Sequence, residues 1–297
     1  MATVDVIVVT WNDRDNALKA LDSVFSLSEV QAEGQFANVV VSDNGSADDT
    51  VPALRKRYGQ LLTIIENREN LGFGGGCNRA IARTAAPYIF LLNPDAVLHD
   101  GALASIVEFM KRNPRCALAG PKIFESDGTV AESCGEFDTW VGAFLRSSAW
   151  GELPLFSRFA NGSALRAWDY DTMRKVDLVI GAAMVLRRSV IQQIGGFDER
   201  YFMYHEEVDL AKRVAQAGYE TWFVPCSQAV HQGQGSSRGR SVEALKQRSR
   251  RQYWIKHHGY PWYAMLTIAL VGRYLFYAVA LIALAIAARR VFLGPAR

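Results

Sequence analysis

The first hundred residues alternate between short β-branched runs and stretches whose apolar positions recur three and four apart. Val4–Thr10 is the first run, and residues 13–27 follow with helical spacing. Residues 38–43 predict a second strand, 48–58 a helix, 61–66 a third strand, 74–84 a helix, and Tyr88–Leu92 a fourth strand. Strands alternating with helices at this pitch predict an α/β fold built on a doubly wound, mostly parallel sheet. Such sheets bind ligands beyond the carboxyl ends of their strands. The polar residues after each strand are therefore the place to look for function: Thr10-Trp11-Asn12, Asp43-Asn44-Gly45-Ser46, residues 67–70, and Asn93-Pro94-Asp95.

The middle of the chain is less regular. Over residues 139–175, aromatics (Trp140, Phe144, Trp150 among them) mix with Arg146, Arg158, Arg166, Arg174 and Lys175. A strand is expected over 176–186, then Gly195-Gly196-Phe197-Asp198, a helix over 206–217, a strand over 219–224 and a Gly/Ser-rich loop over 232–237. A basic helix is predicted over 241–258. Residues 262–288 are almost wholly apolar apart from Arg273. As one helix these roughly 27 residues would reach about 40 Å, enough to cross a bilayer. Arg273 near the middle would cost about 2.5–3.5 kcal/mol there, and the apolar run after it is only about 15 residues against the ~20 of a span. Basic residues flank both sides (Arg250, Arg251 and Lys256; Arg289 and Arg290), so they set no orientation. The pattern predicts a helix pair embedded in one leaflet rather than a clean span; a core helix or a homodimer interface is the plain alternative.

Composition narrows this picture. The 297 residues are 49% hydrophobic and 21% charged, which predicts a packed core. A net charge of +3 calls for no nucleic-acid partner. Cys77, Cys116, Cys134 and Cys226 are scattered without zinc spacing, and read as reduced thiols. The chain starts directly with a strand-like run, with no signal-peptide pattern, so the catalytic part is expected inside the cell and Asn161-Gly162-Ser163 to be a chance glycosylation match.

Several clusters can carry chemistry. Asp43 ends a strand, where a carboxylate can accept from a pyrimidine imide or a ribose hydroxyl, and Asp48 can cap the next helix. Leu71-Gly72-Phe73-Gly74-Gly75-Gly76-Cys77-Asn78 departs from the dinucleotide fingerprint because Cys77 stands at the third glycine position. It reads as backbone passing close to a ligand at a helix N-terminus. Asp95 is either a ligand for a divalent cation bridging a diphosphate or a turn residue. Within His205-Glu206-Glu207-Val208-Asp209-Leu210, Asp209 and Arg213 are spaced to pair, and Glu206 shares their face while Glu207 points elsewhere. Glu206 or Asp209 is either a general base or an acid answering the helix dipole. His231 is either a metal ligand or structural.

Val8-Val9-Thr10-Trp11-Asn12, Ser42-Asp43-Asn44-Gly45-Ser46, Asn70-Leu71-Gly72-Phe73-Gly74, Leu92-Asn93-Pro94-Asp95, Gly195-Gly196-Phe197-Asp198, Glu206-Glu207-Val208-Asp209-Leu210 and Val230-His231 together resemble the family-2 glycosyltransferases of the GT-A fold. They run in family order over about residues 3–237. Within that family the chain is most similar to bacterial rhamnosyltransferases that extend polyprenyl-diphosphate-linked sugars in cell-wall or O-antigen assembly. The resemblance implies that Thr10, Asn12 and Asp43 hold the nucleoside, that Asn78 lies near the diphosphate, and that Asn44, Gly72, Asn93 and Asp95 also belong to the nucleotide-sugar site. It makes Asp95 the last position of the D-x-D metal motif, His231 a further ligand for Mg2+ or Mn2+, and Glu207 the catalytic base with Glu206 as rival. Asn93 stands where the family's first aspartate would be, and Glu207 where aspartate is commoner.

The implied enzyme is an inverting, metal-dependent transferase at the cytoplasmic face of the bacterial inner membrane. It would take a dTDP- or UDP-linked donor, L-rhamnose from dTDP-rhamnose first, and a lipid-linked saccharide acceptor. Residues 1–237 would form the catalytic domain (1–98 the nucleotide half, 99–237 the acceptor half) and 238–297 a basic helix with membrane-associating helices. A UDP-dependent hexosyl or hexosaminyl transferase and a non-catalytic, membrane-anchored nucleotide-sugar sensor are the alternatives; a nicotinamide oxidoreductase is disfavoured by the missing fingerprint on the first strand.

Overall fold

The computed structural model describes residues 3–31, 36–152, 168–233 and 240–293. Asn161-Gly162-Ser163, Arg158, Arg166 and most of the Gly/Ser-rich loop lie outside them. The chain divides into two compact units, Met1–Phe137 with Asp169–Arg250, and Asp138–Trp168 with Arg251–Arg297.

The first unit is built on a nine-stranded sheet. Strands β1 (Val4–Thr10), β2 (Ala37–Asp43), β3 (Leu62–Glu66) and β4 (Tyr88–Leu92) pair in parallel in the order β3-β2-β1-β4. Their connections carry α1 (Arg14–Ser26), the short α2 (Ser28–Gln31), α3 (Thr50–Tyr58) and α4 (Gly72–Ile81). β1 is β-branched nearly throughout and buried at all seven positions, as a strand covered on both faces requires. Val4, Val6 and Val8 face a core shared with α1, which buries Ala17, Ala20, Leu21 and Val24 at helical spacing.

The second half of the sheet is mixed. β5 (Ala96–Leu98) leads into α5 (Ala102–Arg112), β6 (Cys116–Glu125) and the short β7 (Cys134–Gly135). The single strand expected over 176–186 is three short ones, β8 (Arg174–Val176), β9 (Leu178–Val179) and β10 (Ala183–Arg187). β10 runs antiparallel between β4 and β6, while β9 leaves the main sheet to pair with β7. α7 (Arg188–Ile194) and α8 (Glu206–Gln216) precede β11 (Glu220–His231), which is longer than expected because its pairing with β6 resumes after an irregularity between Val224 and Gln228. β11 is parallel to β6 and antiparallel to β5, setting His231 opposite Ala96. Thr10, Asp43, Asp95 and His231 thus reach the same edge of the sheet, and the segment leading into α8 meets the start of α4 there, with the Phe202 carbonyl accepting from the Phe73 amide.

In the second unit, α6 (Trp140–Ser147) packs against the C-terminal helix, with Trp140 and Trp262 rings 5.3 Å apart. α9 (Arg240–His258) carries the basic stretch and belongs to the first unit as far as Arg250, while α10 spans Tyr260–Leu293 in the second. The helix pair expected within the apolar tail is corrected to one unbroken helix. The break falls earlier, at Gly259 (φ +85°), with Pro261 in the first turn of α10. Arg273 does not interrupt the helix, since its side chain reaches Tyr277 one turn on, with Nε 3.3 Å from the phenol oxygen. Tyr260–Ala283 is long and apolar enough to cross a membrane, at a mean hydropathy of 1.9.

Candidate active site

The loops after β1, β2 and β3 are stitched together by side chains. Asn12, in the left-handed region at φ +50°, accepts from the Ala47 amide (2.7 Å), and its own amide donates to Ser46 Oγ (2.8 Å). The Asp43 carboxylate accepts from the Gly45 and Ser46 amides (3.1 and 2.9 Å) and from Ser46 Oγ (2.5 Å), shaping the turn it heads. Asn44 is almost wholly internal: Nδ2 donates to Gly72 O (3.0 Å) and Asn70 Oδ1 (3.3 Å), and Oδ1 accepts from Asn67 Nδ2 (3.0 Å). Thr10 lies 2% exposed beside them, and its Oγ1 is buried without a hydrogen-bond partner among the described residues.

The glycine cluster serves packing first. Gly72 has φ +72°, and a Cβ there would fall 1.9 Å from the Phe202 carbonyl oxygen, which accepts from the Phe73 amide at 3.1 Å. Gly74 and Gly76 similarly admit Phe197 and Val9, whose side-chain carbons would lie 2.9 and 2.6 Å from an added Cβ. At these three positions the close approach that glycine permits is to protein. The helix also begins at Gly72, two residues before the expected start. Asn78 is spent on the chain as well. Its Nδ2 donates to Phe197 O and Glu199 Oε1 (2.9 Å each), and its Oδ1 accepts from the Phe197 amide (2.9 Å). Asn78 and Gly72 thus tie α4 to residues 196–202, which lead into α8.

Asn93-Pro94-Asp95 forms a tight connection in which the Asn93 carbonyl accepts from the Ala96 amide (3.1 Å) and its amide donates to Ala182 O (2.9 Å). The antiparallel β5–β11 pairing sets Asp95 Oδ1 3.2 Å from His231 Nε2, both partly exposed. That contact raises the His231 pKa against the opposing effect of partial burial. The two residues singled out for metal are thus side by side. Among the described residues no group of three or more His, Cys, Asp or Glu could hold an ion. A carboxylate oxygen beside an imidazole nitrogen is a donor set that would suit a divalent cation.

At the N-terminus of α8, Tyr204 and His205 are both left-handed (φ +68° and +66°). Two consecutive non-glycine residues in that region store strain of the kind found at functional sites. Three acids follow them in the first turn of α8. Asp209 is fully buried and bound to Arg213 Nε at 2.8 Å, and Arg213 also clamps the carbonyls of Ile194, Gly195 and Gly196. Glu206 is buried, and it adds to the effect of burial in raising the pKa of the internal Cys77 thiol. Burial, and then the neighbouring Glu207, hold the Glu206 carboxyl well above its ordinary range. Glu207 lines a cavity of about 330 Å3 together with Tyr204, His205, Lys246 and Arg250. Burial raises its pKa too, against backbone amides that favour the charge, and its Oε2 is buried without a hydrogen-bond partner among the described residues. Of the acids on this helix, Glu207 is the one that opens on a cavity, although helix-face reasoning favoured Glu206 or Asp209 for the base. Lys246 lies in the basic stretch but was not singled out within it from the sequence. Its signal is its place four residues before Arg250, which puts both on one helix face.

The model for glycosyl transferase family 2 matches residues 5–195, well over half of the chain, and the chain belongs to that family. It is a glycosyltransferase by family, on a GT-A-like fold. An N-acetylglucosaminyl-diphospho-decaprenol L-rhamnosyltransferase of Mycobacterium tuberculosis is 29% identical over 238 residues, 76% of this chain and 75% of that protein. The rhamnosyltransferase WbbL of Escherichia coli K12 is 24% identical over 260 residues, 82% of this chain and 88% of that protein. Among solved structures, GalNAc-T7 with UDP, GalNAc and Mn2+ superposes with a TM-score of 0.59 at 14% identity, covering 88% of this chain and about half (52%) of that one. The Pyrobaculum calidifontis mannosyltransferase PcManGT with GDP-Man and Mn2+ gives 0.55 at 18% identity, over 97% of this chain and 80% of that one.

Proposed function

We propose that the chain is an inverting glycosyltransferase that moves L-rhamnose from dTDP-rhamnose onto a polyprenyl-diphosphate-linked saccharide. The observation that carries this reading is Glu207, whose carboxylate lines a cavity and keeps one buried oxygen, Oε2, without a hydrogen-bond partner among the described residues. The choice of rhamnose and of a lipid-linked acceptor is supported by the two relatives whose names carry them.

In this mechanism Glu207 takes the proton of an acceptor hydroxyl, whose oxygen attacks the anomeric carbon from the face opposite the leaving group. The bond from that carbon to the diphosphate breaks, and the nucleoside diphosphate leaves with the electron pair. Desolvation of Glu207 raises its basicity for this step. Thr10, Asn12 and Asp43 are the residues we assign to the nucleoside, with Thr10 Oγ1 still open to a partner. Asn44 and Gly72 shape that site by fixing the loops around it, as Asn78 does for the segment leading to Glu207. Asp95 and His231, with Asn93 alongside, would hold Mg2+ or Mn2+. When bound, that ion supplies charge stabilisation to the departing diphosphate.

We further assign residues 1–237 to catalysis and the tail, through α10, to a membrane surface at the cytoplasmic face of the bacterial inner membrane. A 24-residue apolar helix, Tyr260–Ala283, supports that assignment. The test is calorimetric titration of the full chain with dTDP and with UDP, each with and without Mn2+ or Mg2+. Metal-dependent preference for dTDP is expected. Preference for UDP moves the donor to a hexose or hexosamine on the same fold, and binding of neither sinks the site assignment. Binding without transfer to any lipid-linked acceptor would leave a nucleotide-sugar sensor.

A further inference from the structure

The cavity beside Glu207 has a second wall of a different character. Opposite Tyr204 and Glu207 stands one face of α9, presenting Glu243, Lys246, Gln247 and Arg250. This wall is anchored: the buried Ser249 donates through Oγ to Met203 O at 2.7 Å, holding α9 against the strained turn that precedes Glu207. Glu243 is engaged by Gln247, whose Nε2 donates to its Oε1 at 2.7 Å. Lys246 Nζ sits 5.0 Å from the centre of the Tyr204 ring, a position that holds an ammonium by cation–π attraction while leaving its hydrogens for an anion. Neither cation is bonded to Glu207 Oε2, which accepts nothing among the described residues. A volume of about 330 Å3 is at the lower end of small-molecule sites. It therefore combines a carboxylate oxygen without a partner among the described residues with two cations placed one helical turn apart.

We propose that this cavity is the acceptor site, and that Lys246 and Arg250 grip the acceptor's diphosphate while Glu207 meets its sugar hydroxyl. The inference rests on the glycosyl-transfer reading above and names how the acceptor is recognised. An arginine fork and a lysine point charge are the side chains that bind phosphate oxygens well. Recognition falls on the group between lipid and sugar, so the prenyl chain needs no contact here and the sugar is delivered over the base. An anionic lipid headgroup carries similar phosphate chemistry, and the experiment separates the two sources.

The full chain in neutral detergent is assayed with two acceptors: N-acetylglucosamine joined by a diphosphate to a short prenyl chain, and the same sugar on a neutral alkyl chain. Removal of one charge-assisted phosphate contact costs roughly 10–100-fold. Lys246→Ala and Arg250→Ala are each expected to raise the KM of the diphosphate acceptor by about that factor. The kcat and nucleotide affinity stay near wild type, and the preference over the neutral acceptor shrinks. Lys246→Arg, which keeps the charge, is expected to retain most of that preference. Binding of the short prenyl diphosphate without sugar, measured by calorimetry, should fall in parallel. That arm needs no transfer, so a chain that binds the prenyl diphosphate through these residues yet transfers nothing refutes the catalytic reading and not this one. Unchanged KM and preference in both alanine variants overturns the proposal. So does a loss confined to binding of vesicles rich in anionic lipid, which assigns the cations to headgroups. Should an alanine variant fail to fold, Lys246→Gln, which keeps an uncharged stem of similar length, decides by the same readings.

Discussion

At the edge of the sheet where β1 begins, Asp5 is fully buried and its carboxylate is completely engaged. It accepts from Arg188 (2.8 Å), the Ala86 amide (2.7 Å) and Asn38 Nδ2 (2.9 Å), and Arg188 in turn donates to Thr84 Oγ1 and the Ile81 carbonyl. At the opposite edge, Glu206 Oε2, Glu207 Oε2 and Thr10 Oγ1 are equally buried and accept nothing among the described residues. Each such group costs about 1–3 kcal/mol when left unmade. The same sheet therefore closes its account at one edge and leaves it open at the other. Buried polar groups without partners are uncommon enough to need a reason, and at the carboxyl edge of an open α/β sheet a ligand supplies one.

The sharpest way to break this contrast is at Glu207. Glu207→Gln is expected to lower kcat by about 10²–10⁴-fold, as loss of a general base does, while the melting temperature holds. Glu206→Gln, whose side chain lies away from the cavity, is expected to keep transfer within about tenfold of wild type. A steady-state assay with lipid-linked acceptor reads both, and equal losses would mean that the two acids act as one unit. The raised carboxyls also give a sign for pH. Both sit above the ordinary glutamate value of 4.5 in the folded chain. Between that value and the raised one, the folded state holds a proton that the unfolded state has released. The resulting stabilisation is full below about 4.5 and is lost as pH rises through the raised values. The acid limb of the rate profile is displaced upward for the same reason. Urea midpoints across pH should flatten in Glu206→Gln relative to wild type; parallel curves would refute the shift.

The closed edge makes the opposite prediction. Asp5→Ala leaves Arg188 buried without its counter-charge, and breaking such a pair costs about 3–5 kcal/mol. Denaturant unfolding should show that loss, while kcat per folded molecule stays within about twofold of wild type. A large fall in kcat at full stability would show that this edge is coupled to chemistry after all.

The sequence carried the open edge better than its wiring. Alternating runs in the first hundred residues place Thr10, Asp43 and Asp95 at strand ends, because a parallel βα repeat is a local pattern with a global consequence. The meeting of Asp95 with His231 depends on β5 pairing with β11, more than 130 residues on, and only the family resemblance anticipated it. The strained Tyr204–His205 turn was illegible, since no glycine announces positive φ there. The glycines after β3 serve packing, since Phe202, Phe197 and Val9 occupy the space their side chains would take. Glycine marks a close approach without saying what approaches. In the tail, Arg273 suggested a break because its charge was counted and its helix propensity was not.

Asn78 offers the smallest effect and the finest test of where the open edge ends. The family resemblance puts it near the donor diphosphate, whereas in the structure both Nδ2 hydrogens and Oδ1 serve Phe197 and Glu199. A side chain so engaged belongs with Asp5, on the satisfied side of the contrast. Asn78→Ala removes these bonds and exposes the Phe197 amide, at about 1–2 kcal/mol. Unfolding by urea should show that loss, with dTDP affinity unchanged by calorimetry. A modest fall in kcat is expected, because residues 196–202 lead the chain to the turn that aims Glu207. If instead nucleotide affinity drops tenfold at unchanged stability, Asn78 gives up its chain contacts to the ligand, and the boundary between scaffold and site moves inward by one helix turn.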